Sequence, residues 1–194
     1  MNIRKERKMR RHFCVSVLLV WLVMAAFSPG QEEYAEPIFA GDITKIKELL
    51  AKKIPLGNTK TPTYADLGRA YFGHKVTPLH IAVKCKKKLI VKLLLQNGAD
   101  INAVAGEDTT GIKGVTPLHM AVIHRHTNMI DFLIQNGASV EKETKEGFTP
   151  LMLVYVVPSL RNQQEALSKQ LTARGARITV FTAACMTNTT LLAE

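Results

Sequence analysis

The sequence predicts an all-α fold, a solenoid of helix-turn-helix units with β-hairpin fingers, preceded by a signal-peptide helix. Three observations predict it. An eight-residue block recurs along the chain, each copy is followed by a leucine-rich stretch closing on Gly-Ala, and a basic N-terminus leads into an uncharged apolar run. With 194 residues, 46% of them hydrophobic, the chain has the material for one folded unit with a real core.

The N-terminus accounts for half of the charge. Twenty-six Lys/Arg against 16 Asp/Glu give +10, which resembles a nucleic-acid signal until it is divided. Arg4, Lys5, Arg7, Lys8, Arg10 and Arg11 with Glu6 put +5 on residues 1–30, and the remaining 20 cations and 15 acids put +5 on the rest. No specific nucleic-acid partner is expected. The run from Cys14 to Phe27 is 14 residues long, whereas a membrane span takes about 20 and a signal-peptide apolar region about 7 to 15. Residues 1–30 therefore read as a signal peptide, cleaved after Gly30 to leave Gln31 first; cleavage after Ser28 is poorer because Pro29 would follow. The expected location is exported, periplasmic or secreted, and the alternative is a membrane anchor through residues 14–27. Cys85 and Cys185 lie about three units apart, at about 8 to 10 Å per helix layer. That exceeds the roughly 7 Å reach of a disulfide, so both are expected as free thiols.

The repeated blocks are Val76-Thr-Pro-Leu-His-Ile-Ala-Val83, Val115-Thr-Pro-Leu-His-Met-Ala-Val122 and Phe148-Thr-Pro-Leu-Met-Leu-Val-Tyr155. Their leucine-rich stretches close at Gly98, Gly137 and Gly175. Thr116 to Thr149 is 33 residues and Thr77 to Thr116 is 39, while the distance from Thr to Gly is 21, 21 and 26. One unit has been copied and its connections lengthened. In that unit Thr77 caps a helix start with its hydroxyl, Pro78 suits the first helical position, and His80 at the third bonds back. Leu79, Ala82 and Val83 recur at helical spacing, as do Ile90, Val91, Leu94 and Leu95 in a second helix, which Gly98 ends in the left-handed conformation. Thr116, Pro117, Leu118, His119, Ala121 and Gly137 repeat the set, and Thr149, Pro150, Leu151 and Gly175 keep part of it. Ala82 and Ala121 allow close helix approach. A helix pair this short cannot bury its apolar face alone, so the units must stack.

These blocks resemble the ankyrin repeat, whose signature is Thr-Pro-Leu-His-x-Ala with a 33-residue period and a Gly-Ala turn into a hairpin finger. Asp100-Ile101-Asn102-Ala103 matches that finger. The resemblance implies a non-catalytic protein-protein interaction module without cofactor, meeting its partner through finger tips and the inner helix surface. On that register the exposed inner positions are Ile81, Lys84, Cys85, Met120, Ile123 and His124. The organisation reads as a degenerate N-terminal repeat at 31–57, an extended loop at 58–75, a repeat at 76–108, a finger insertion at 109–114, and a repeat at 115–147. A repeat with an inter-helix insertion follows at 148–179 and a partial one at 180–194. In the first, Gly41-Asp42, Ile46, Leu49 and Leu50 align with Lys86-Lys87, Val91, Leu94 and Leu95 at an offset of 45; Pro37 is expected to interrupt its first helix, and Lys53 replaces the turn glycine. The last is expected to stop inside its second helix. Phe181, Met186, Leu191 and Leu192 give that end no polar cap, so it is expected to fray, to pair with another chain, or to reflect a shortened reading frame.

Sites of chemistry are sparse. Tyr64, Tyr71 and Phe72 in loop 58–75 serve either as binding anchors or as packing on their own domain. Gly106 and Gly111 have phosphate-loop separation, yet Lys113 comes one residue late, no Ser/Thr follows it, and Glu107 and Asp108 repel phosphate. The insertion around Val157 to Asn162 either leaves Leu153, Tyr155 and Val156 lining the inner groove or covers them. His119, His124 and His126 stand at offsets that share no helix face, so no metal is expected. No nucleophile, base and acid occur in a recognisable setting, so no catalytic residue is expected. A small-molecule binder or enzyme is a remaining alternative, weakened because a solenoid groove lacks a deep pocket. Lys84, Lys86, Lys87, Lys88 and Lys92, with His124, Arg125 and His126 at the equivalent turn, form a basic edge. It reads either as a solvated face or as a surface for an acidic protein, anionic lipid or polyanion, the last as part of a membrane-tethered scaffold. Asn188-Thr-Thr190 is a formal glycosylation sequon.

Overall fold

The computed structural model describes residues 34–53, 56, 76–106 and 111–191, with side chains placed to residue 185. The helices come in pairs. α1 (Ala35–Ala40) precedes α2 (Ile43–Ala51), α3 (Pro78–Lys84) precedes α4 (Lys88–Gln96), and α5 (Pro117–Ile123) precedes α6 (Thr127–Gln135). α7 (Pro150–Val156) is followed by a 3-10 segment (Pro158–Gln163) and α8 (Gln164–Ala173), and α9 (Val180–Leu191) stands at the end. Each first helix packs on its own second helix, and α1, α3, α5, α7 and α9 pack on one another in chain order. Stacking of the first helices makes one continuous core from Tyr34 to Ala176.

Local chemistry sets where each helix begins. Thr77 accepts from the His80 N–H at 3.4 Å, and the Thr77 N–H donates to His80 Nδ1 at 3.4 Å. Thr116 and His119 repeat this at 3.4 and 3.1 Å. Both are reciprocal capping boxes with proline at the first helical position. Thr149 caps α7 through the Met152 N–H, and Met152 has no ring to bond back. Thr179 and Thr182 make a hydroxyl version ahead of α9, with Thr182 fully buried where His80 and His119 stand in their units.

Helix ends are as regular. Gly98, Gly137 and Gly175 adopt φ of +88°, +94° and +94°, and the next N–H in each case reaches back to the last turn, as Ala99 does to Leu94 O at 3.0 Å. The first helices end the same way at Gly41, Lys86 and Arg125, with φ of +77°, +58° and +58°. Lys53 takes the glycine role at +56°.

Three expectations are corrected. Pro37 does not interrupt a helix, because α1 begins at Ala35 and places Pro37 in the first turn, where its missing N–H had no helical acceptor. The fingers show a single bridge residue, Lys113, and no strand among the described residues. The finger bonds internally through Ala105 N–H to Val115 O, Gly114 N–H to Ala105 O and Ala103 N–H to Asp100 O, while Lys113 N–H goes to Glu146 in the next finger. Finally, residues 180–191 form one continuous helix and do not turn after seven residues as α3, α5 and α7 do. Asn188, at the position of Lys86, stays helical and supplies no left-handed turn. The export segment at 1–30, the loop at 58–75 with Tyr64, Tyr71 and Phe72, and Glu107 and Asp108 lie outside the described residues.

Candidate interaction surface

The six expected inner positions divide into two groups. Ile81, Met120 and Ile123 are buried, at 7%, 1% and 5% exposure, and belong to the core. Their expected exposure is corrected: α5 is flanked by α3, α6 and α7, and every one of its seven residues is buried. Lys84, Cys85 and His124 remain half-buried at the rim where each first helix ends. Burial pushes the Cys85 thiol up, against the opposing pull of Lys87 and Lys84, so it stays protonated and weakly nucleophilic. Cys85 and Cys185 are both free thiols.

The turn edge is assembled by stacking, with one correction. Lys86, Lys88, Lys92 and Arg125 are exposed, and Lys87 is half-buried against Gly41 of the preceding unit. His126 is buried at 8% exposure and does not belong to that edge. Its Nδ1–H donates to Val83 O at 3.0 Å, joining the third unit's turn to the second unit's first helix. Desolvation lowers its pKa, and so does Lys86. His124 is held down to about 4, by desolvation first and then by Lys84, His126, Arg125 and Lys86. Both rings are therefore neutral near pH 7, and the edge owes its charge to Lys and Arg alone.

His80 and His119 serve the fold. Each Nε2 meets the carbonyl that opens the next unit, Val115 O at 3.1 Å and Phe148 O at 3.0 Å. A carbonyl only accepts, so Nε2 carries the proton and Nδ1 receives the threonine N–H. Desolvation by burial holds both at about 4. Among the described residues no three metal-binding side chains come together. An open groove of about 460 Å³ beside α1 and α2, lined by Glu36, Pro37, Ala40, Asp42, Lys45, Leu49 and Lys52, is no enclosed pocket.

The fingers are tied from unit to unit. Asn102 Oδ1 accepts from the Ser139 N–H at 2.9 Å, and Glu141, at the same position one unit on, accepts from the Arg177 N–H at 2.8 Å. Lys113 N–H donates to the Glu146 carboxylate at 3.1 Å, and Lys145 N–H donates to Lys113 O at 2.9 Å. Gly114 permits that approach: at φ +76°, a Cβ there would lie 3.0 Å from Lys145 N. The described end of the finger lengthened at 109–114, residues 111–114, thus meets the finger of the next unit.

Helix pairs, reciprocal caps, paired left-handed ends and a finger ladder now stand together. Residues 79–134, which span α3 to α6, match the family model for ankyrin repeats in many copies. Residues 79–134 are thus ankyrin repeats. A search of curated proteins returned no match. Ankyrin units are protein-protein interaction modules and generally non-catalytic, and here the matched units are the ones with complete capping boxes. Sequence reasoning missed the Lys86 and Arg125 ends of the first ankyrin helices, the His126 link and the Asn102/Glu141 ladder. The common alignment of Gly41, Lys86 and Arg125 was the available signal for the first; the other two become visible only once units are stacked.

Proposed function

We propose that this chain is an exported, non-catalytic module that binds one protein partner through its finger tips and the rim of its first-helix row. The observation that carries the reading is the uninterrupted stack of first helices with tied fingers beside it. It holds a row of side chains in fixed order along one face. Lys84, Cys85 and His124 are the accessible members of the inner set. Export rests on the basic stretch and the uncharged run from Cys14 to Phe27.

A photo-crosslinking residue in place of Cys85 or His124 should capture one protein in the exported compartment, and the same probe in place of Gln96 should not. Equal capture at all three positions would refute the rim as the site. Mass spectrometry of the mature N-terminus tests export separately, with Gln31 as the expected first residue and an intact residue 14–27 run as the contrary result.

A further inference from the structure

The turn edge holds an apolar side chain that the core leaves out. Leu89 is 69% exposed in the first turn of α4, although Ile90, Val91 and Leu94 of the same helix are buried. Lys88, Leu89 and Lys92 fall within an arc of about 100° on the helix, and Lys86 stands just before it in the left-handed turn. Among the described residues Lys86, Lys88 and Lys92 have no carboxylate within ion-pair reach; the described ion pairs are Lys45–Glu48 and Arg174–Asp131. The neighbour of the Lys88 ammonium is the Phe132 ring, 5.0 Å away. At the same turn of the adjoining units stand Ile43, 37% exposed, and exposed Arg125.

We propose that this turn edge docks on an anionic lipid surface, with Leu89 entering the boundary between headgroups and acyl chains and the surrounding lysines meeting the headgroup charge. Leu89 projects outward, so it suits a deformable apolar phase better than a partner's side chain that needs a recess. The lysine stems can lie along that phase while their ammonium groups stay at the headgroups. Several Lys/Arg on one face add their attraction to a negative leaflet, each worth about fivefold in affinity. This docking does not depend on the protein-partner reading above.

The test uses the full chain with Trp21→Phe, which removes its single tryptophan, and Leu89→Trp as a local reporter. Vesicles of phosphatidylcholine and phosphatidylglycerol with brominated acyl chains should shift the emission to the blue and quench it. Brominated phosphatidylcholine alone should do neither, and Lys86→Gln/Lys88→Gln/Lys92→Gln in the reporter chain should abolish both effects while circular dichroism stays unchanged. Because the reporter sits at position 89, insertion of residues 14–27 does not mimic the result. Emission that ignores the anionic vesicles, responds equally to neutral ones, survives the lysine changes, or responds only to polyglutamate overturns the proposal.

Discussion

His80 and His119 show how one side chain serves two levels of structure. Each closes its own helix start and donates to the carbonyl that opens the next unit. His119→Ala leaves Phe148 O without that donor and opens the cap, a loss of about 1 to 3 kcal/mol in urea unfolding. The same residues set a pH dependence. Their native pKa is about 4 against an ordinary 6.5, so as pH falls the unfolded chain takes up protons first. Their contribution is complete above 6.5 and is lost as pH drops from 6.5 towards 4, up to about 3 kcal/mol for each ring. Urea midpoints should fall steeply between pH 7 and pH 4.5, and His80→Gln/His119→Gln should flatten that fall. An unchanged slope in the double variant would show that other groups govern it.

At the scale of elements, the left-handed helix ends limit what each turn accepts. Lys86 and Arg125 hold φ of +58° without being glycine, whereas Gly41 does the same task at +77°. Lys86→Gly should change stability by less than about 1 kcal/mol, because relief of the left-handed strain offsets the added chain entropy. Lys86→Val should cost about 1 to 2 kcal/mol, since a branched side chain is poorly tolerated there. Gly114→Ala is more severe: the added methyl meets Lys145 N as well as the positive φ. It should cost about 1 to 3 kcal/mol and release the Lys113–Lys145 link, read as faster amide exchange at Lys145.

For the whole molecule, stability passes between neighbours, as in any solenoid. Ala82 and Ala121 are fully buried in the first-helix row. Ala121→Leu forces α5 away from the helices beside it and should cost about 1 to 3 kcal/mol by overpacking. The end unit is held less firmly. Phe181, at the position of Leu79 and Leu118, is 45% exposed, and Val180 is 89% exposed, because among the described residues α9 has no second helix packed on it. Backbone amides of α9 should exchange well before those of α5. Equal protection in both would mean that the end is covered by a partner chain.

Much of this fold was already written in local pattern. Thr-Pro-Leu-His set the helix starts, Gly98 and Gly137 the ends and their spacing the stack, because caps and left-handed turns depend on residues a few positions apart. Even the substitution of Lys53 for glycine was readable from the offset alone. Tertiary structure decided which faces remain open. Ile81, Met120 and Ile123 had inner positions but became core, and His126 left the basic edge for Val83, since burial depends on the neighbouring unit and not on the period. Leu89 is the converse case: one leucine in a leucine-rich stretch whose exposure appears only when α4 is placed against its neighbours, for apolar character does not say what a side chain will meet.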